Sequence, residues 1–357
     1  MRLRNFNGKV ILGLLFILFF WVAMFWQVFI KGYVAMPNDL LVGAYYPWLN
    51  SKWGYEVGVP VKNPEISDVF SQVFVWKKII RESIRSGEFP LWNKYDMSGS
   101  PLMASLQPAV FFPTTLLTTF LPIHIGWNAH IMLSSLVGMM GLFIYLKIRK
   151  IGNLSSLLSS ILFVTGSLMT TWVEIGTTVW AMAMLPWIFW TIDKFLNENK
   201  LKYLIGLSLF ITLVIFAGHA QMIIYGVVLV AVYGVVMSGR SLRNILLIWL
   251  FLFAGIGLSA IQLLPTLDLY QNSIRNFENY SAGMNHGLIP WTQLIRVWVA
   301  DFYGNPVTGN YSHYQSYHET SLYLGILVVP LILPFFLIGR KAVTSEIFDG
   351  QRYVNET

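Results

Sequence analysis

Acidic side chains just outside apolar stretches carry the strongest chemical signal. Asp39 lies in Met36-Pro37-Asn38-Asp39-Leu40-Leu41, a few residues after a long apolar run, so its carboxylate is held near the foot of that run. A carboxylate placed there can take a proton from an attacking hydroxyl. An Asp shortly after a proline is equally a turn residue that bonds its own backbone. Asp68, beside Ser67 at the start of an amphipathic stretch, is either a second acid or a helix cap. Of the cations that follow it, Lys77, Arg81 and Arg85 suit a lipid phosphate or snorkel to anionic headgroups, and Lys78 lies with them on the headgroup side of the stretch. His219 and Gln221, within Ala217-Gly218-His219-Ala220-Gln221, either bond a phosphate or sugar or satisfy helix ends. Trp92 and Asn93, closing Gly87-Glu88-Phe89-Pro90-Leu91-Trp92-Asn93, offer stacking and hydrogen bonds to a sugar, although an interfacial Trp is common. Gln107 and Glu319 complete the candidate sugar or acceptor contacts. His313, His318 and the scattered acids form neither an i, i+4 His pair nor an Asp-x-Asp, so no cofactor is expected and a divalent metal is not indicated, though it stays open.

The elements that must position these residues are apolar. Hydrophobic residues make up 55% of the chain and charged residues only 11%, far below the roughly 25% of soluble domains, and the mean hydropathy is +0.59. This is the composition of an integral membrane protein. The runs are continuous, not alternating in segments of about ten, which excludes a β-barrel. A net charge of +7 invites nucleic acid as a partner, but the basic residues flank apolar runs instead of forming one stripe, so none is expected. With no cysteine in the chain, thiolate chemistry, disulfides and Cys-ligated metals are out of play.

Apolar runs and their flanking cations predict an all-α polytopic membrane protein with about eight transmembrane helices. The spans fall at 10–30, 125–146, 154–173, 179–192, a hairpin over 201–237 turning at 217–221, 245–264 and 319–338. The first is too long for a signal-peptide core. Each short loop assigned to the cytoplasm carries clustered Lys or Arg, which puts both chain ends inside. Two long loops, 32–111 and 266–318, then lie outside. Apolar positions Ile66, Val69, Val73, Trp76, Ile80 and Ile84 predict an interfacial amphipathic helix in the first loop, and 108–121 reads as re-entrant or interfacial. Asp39, Asp68, Glu174, His219, Gln221, Asp268, Asp301, His313, His318 and Glu319 all fall on the outer side or just inside it. Few ionisable residues are left near the midplane, where a transporter would need them.

In order along the chain come PNDLL with YYPW, SGEFPLWN followed by GSPLMASLQPAVFFP, AGHAQ, QLLPTLDLYQNSIR and HETSLYLGILVVPLIL. Together these pieces resemble the YfhO family of bacterial membrane proteins, related to the GT-C glycosyltransferases that use polyprenyl-phosphate sugars. Lys94 stands where the motif usually has Pro. Family members are usually longer, with further spans and an outer domain, so the resemblance implies the N-terminal part of a member or a truncated one. It implies a single GT-C-like domain over 1–357 in the bacterial plasma membrane, with the first outer loop supplying the essential acid. That acid maps onto Asp39, with Asp68 second. Membrane lipids, a polyprenyl-phosphate sugar and a cell-envelope glycopolymer, lipid or protein acceptor are the implied partners. Lys77, Arg81, His219 and Gln221 would then serve the donor, and Trp92, Asn93, Gln107 and Glu319 the sugar or acceptor. The alternative is a non-catalytic membrane scaffold or lipid-handling protein, with a transporter behind it.

Overall fold

The computed structural model describes residues 8–273, 289–313 and 316–326. It is mostly helical. In order the helices are α1 (Gly8–Met24), α2 (Trp26–Lys31), α3 (Asn38–Ala44), α4 (Phe74–Arg85), α5 (Pro113–Phe120), α6 (Ile123–Ile148), α7 (Asn153–Thr165), α8 (Ser167–Trp172), α9 (Thr177–Glu198), α10 (Leu201–Phe216), α11 (Ala220–Ser238), α12 (Leu242–Leu258) and α13 (Ala260–Gln271). One short antiparallel pair, β1 (Trp92–Asn93) with β2 (Ser100–Pro101), closes a hairpin in the first long loop. The described residues fall into two compact units. The larger runs to residue 273 without 166–168, and the smaller takes 166–168 with the residues from 289 onward.

Among the described residues two helices, α6 and α11, are long and apolar enough to cross a membrane, and α12 with α13 makes a third if that pair is one span. α1, α7 and α10 are shorter apolar helices. The expected spans therefore appear in part as broken pieces, and the breaks have local causes. The first run stops at Phe25, whose φ of −106° and ψ of 25° leave the helical region. The third run is interrupted at Gly166, between α7 and α8. The seventh bends by 70° at Ser259. α9 keeps its 22 residues but carries Pro186 inside and Asp193, Lys194 and Glu198 in its last turns. The hairpin turn expected at 217–221 lies between α10 and α11. Of the eighth expected span, residues 319–326 are not helical, and 327–338 lie outside the described residues.

The main core is built by α9, α10, α11 and α12 through Met184, Ile188, Leu207, Ile211, Val230 and Ile248, with Phe112 packed beneath Trp180. Outward faces are apolar as well. Leu12, Phe19 and Ile30 on the first run, Ile224 and Val236 on α11, and Leu246 and Phe253 on α12 are all exposed. A continuous apolar exterior of this kind is unfavourable in water and matches a lipid-facing surface. α5 is inverted in the same sense, since Thr114, Thr115, Thr118 and Thr119 point inward while Leu116, Leu117 and Phe120 point out.

Candidate functional site

The segment leading to Asp39 is fixed by α6. Asn128 accepts the Ala35 N–H through Oδ1 at 2.8 Å and donates Nδ2 to Tyr33 O at 3.0 Å, while the Trp127 indole donates to Ala35 O at 2.7 Å. α3 follows at once, with Asp39 in its first turn, where a negative charge suits the helix dipole. Leu40 anchors it by packing among Ile66, Val69, Val73, Trp127 and Ile131. At Gly43 even one methyl group would stand 2.6 Å from Val59 O, so α3 lies hard against the 59–62 strand of chain. The Lys62 backbone N–H donates to Asp39 Oδ2 at 2.9 Å. The carboxylate is therefore oriented by a distant backbone group and not by its own turn.

Val61, Val173 and Ile175 pack into the same cluster as Leu40, which gathers their sequence neighbours Asp39, Lys62 and Glu174. Burial pushes the Glu174 carboxyl above its ordinary range, the charge of Asp39 adds to the shift, and Lys62 opposes it. Its Oε2 has no hydrogen-bond partner among the described residues. Glu174 is thus held toward its protonated form beside a carboxylate held in place, the arrangement in which two acids take different roles. Two residues earlier, Trp172 meets the His219 ring edge-on at 5.9 Å. His219 caps α11, its Nδ1 accepting the Met222 N–H at 3.4 Å. The turn before it needs Gly218, whose φ is +90° and where a methyl group would sit 2.6 Å from Leu106 O. That contact brings the 217–221 turn against the segment holding Gln107.

The cations of α4 are largely committed. The expected interfacial helix begins as a π-helical turn, Val69–Val73, and continues as α4. Lys77, expected on its solvated face, is wholly buried and donates to Pro108 O at 2.9 Å and Thr115 Oγ1 at 2.6 Å. Its polar face is covered by the 108–121 segment, and burial lowers the Lys77 ammonium to about 7. Arg81 donates to Thr118 O and Leu121 O, and Arg85 Nε to Thr119 O at 2.9 Å. These carbonyls end α5, where a helix leaves acceptors unpaired and its dipole favours a cation. Next to Thr115, Thr114 Oγ1 pairs with His130 Nδ1 at 2.6 Å, and His130 Nε2 is buried without a partner.

Of the remaining candidates, Asp68 does not cap the turn it precedes, and its Oδ1 accepts from Gln72 Nε2 at 3.3 Å. Trp92 is exposed, with its indole over Gly99, while Asn93 is buried and accepts the Tyr95 N–H at 3.0 Å within the hairpin. Gln107 is exposed, and Gln221 donates to Tyr225 OH at 2.9 Å. Asp268 accepts from Asn272. Glu319 is an exposed residue of the smaller unit, where Asp301 accepts from Tyr317 OH at 2.7 Å. Among the described residues no three His, Asp or Glu side chains converge as a metal would require. Lys62 and His130 carried no sequence signal, and Glu174 only its place on the outer side. No family model, curated protein or solved structure matches the chain.

Proposed function

We propose that the chain is a membrane glycosyltransferase that moves a sugar from a polyprenyl-phosphate donor to a cell-envelope acceptor on the outer face of the bacterial plasma membrane. The resemblance to the YfhO and GT-C proteins supplies the reaction class, and the topology expected from the flanking cations, with the N-terminus inside, would supply its geography. The observation that carries the reading is the seating of Asp39, whose Oδ2 is aimed by the Lys62 N–H beside Glu174. In this mechanism the acceptor oxygen attacks the anomeric carbon with inversion as Asp39 takes its proton. The bond from that carbon to the phosphate oxygen breaks, and its electron pair leaves with polyprenyl phosphate. Charge grows on the phosphate as it departs, so fixed donors near it lower the barrier. Lys62, whose charge acts on Glu174, and His219, which meets Trp172, are the groups assigned to that task. Trp92, Asn93 and Gln107 belong to the loop that closes over the sugar.

The experiment is Asp39→Asn in the full chain, which keeps shape and hydrogen-bond capacity but cannot hold the proton. Sugar transfer to the envelope acceptor should fall by at least about 10²-fold with protein abundance in the membrane unchanged. Full transfer by that variant removes Asp39 as the base. A second reading has its own support: Lys77 is buried on Pro108 O and Thr115 Oγ1, and Arg81 and Arg85 are anchored to the end of α5, which leaves fewer free cations for a leaving phosphate. On that reading the chain is a non-catalytic lipid-handling scaffold, and deleting it leaves envelope glycosylation intact while a partner is lost from the membrane.

A further inference from the structure

The exposed side of α4 faces an open groove of about 490 Å³ lined by Lys78, Arg81, Glu82, Arg85, Ser86 and Ile123. Three of these side chains are cationic and one is anionic. Arg81 and Arg85 are rigidly placed, because some of their N–H groups already hold the end of α5. A guanidinium carries five donors, so others are left over for a ligand. Ile123 opens α6, whose 26 residues span roughly 39 Å against a hydrocarbon thickness of about 30 Å. The groove therefore lies at headgroup depth, and the exposed Leu116, Leu117 and Phe120 of α5 offer an apolar surface for acyl chains.

We propose that this groove is a binding site for the phosphate of an anionic phospholipid, distinct from the place where the sugar donor reacts. The separation follows from α4 itself. Phe74 packs in the cluster that seats Asp39, whereas Arg81 and Arg85 come seven and eleven residues later, about 10 and 16 Å along the axis at 1.5 Å per residue. The arginines therefore lie farther along α4 than the cluster that seats Asp39. A resident phospholipid gains from cations at the interface and neutralises a patch that would otherwise repel itself. The proposal rests on the membrane reading and not on glycosyl transfer.

Lys78 and Glu82 allow a clean test, since both are more than half exposed and interact with each other at 3.9 Å. The full chain would be extracted from vesicles of phosphatidylcholine with phosphatidylglycerol, and retained lipid measured by native mass spectrometry. Wild-type protein should retain phosphatidylglycerol in preference to phosphatidylcholine. Lys78→Gln should lower that retention about fivefold and Glu82→Gln raise it by a similar factor. Asp39→Asn should leave it unchanged, which separates this site from the proposed catalytic one. Equal retention of the two lipids, or charge variants that fail to move retention in opposite directions, overturns the proposal. So does displacement of phosphatidylglycerol by polyprenyl phosphate added at equal concentration.

Discussion

Lys77 shows how far one residue departs from its place in a pattern. Its position among Lys78, Arg81 and Arg85 marks it as one more surface cation, yet it is wholly buried, and its ammonium is lowered by burial from the usual lysine value to about 7. The sign of the stability effect follows from that direction. Between about pH 7 and the ordinary value of 10.5, the unfolded chain binds more protons at this site than the folded one, so unfolding free energy rises with pH. The slope from this group alone approaches about 1.4 kcal/mol per pH unit. Wild-type protein should therefore gain thermal stability from pH 7.5 to pH 9.5, about 2 to 3 kcal/mol more than the Lys77→Met variant over the same range. Parallel melting profiles for the two proteins would show that the amine is solvated or paired in a way the structure does not have. Methionine keeps the apolar stem but removes the amine and its two hydrogen bonds, so the pH-dependent part of the difference reports the titration.

At the scale of elements, continuous apolar length was legible and bends were not. α6, α10, α11 and the turn at 217–221 follow from run length and a Gly-centred break. The interruptions at Phe25, Gly166 and Ser259 occur inside runs whose composition does not change, so hydropathy carries no trace of them. Asp39 was legible because it sits next to a run. Its partners Lys62 and Glu174 come from the far side of the first loop and from the turn before α9, and only packing of Leu40 with Val61, Val173 and Ile175 brings them together. The basic ends of α6, α9 and α11 hide a similar long-range device. Arg149, just after α6, pairs through Nε with Asp193 of α9 at 2.6 Å, and Tyr233 of α11 accepts from Arg149 and donates to Asp193 at 2.7 Å. Asp193 is 5% exposed and Arg149 35%, so the pair is only partly shielded and its loss is discounted accordingly. Asp193→Ala should cost about 2 to 3 kcal/mol in unfolding by denaturant, and Arg149→Met combined with it should recover part of that loss. A neutral Asp193→Ala would mean that the three helices are held by their apolar contacts alone.

For the whole molecule, everything proposed about chemistry depends on which side of the bilayer each loop occupies, and that can be settled without any assay of activity. The basic loops at Lys147 to Lys150, Lys194 to Lys202 and Arg240 to Arg243 are the expected cytoplasmic connections, because Lys and Arg in short loops resist translocation. Glu56 lies on the first long loop and Arg240 in the turn between α11 and α12, and both are exposed. The chain contains no cysteine, so a single introduced thiol reports its position without background. Glu56→Cys should react with a membrane-impermeant maleimide in intact cells, and Arg240→Cys only after the membrane is opened. The bent α12–α13 pair adds a second check. If it crosses the membrane once, a thiol at Gln271, at the end of α13, labels from the same side as Glu56→Cys; if it turns back within the bilayer, it labels with Arg240→Cys. Protection of Glu56→Cys in intact cells would put Asp39 on the wrong side for an envelope acceptor, and glycosyl transfer at the outer face would have to be abandoned whatever the geometry around Asp39.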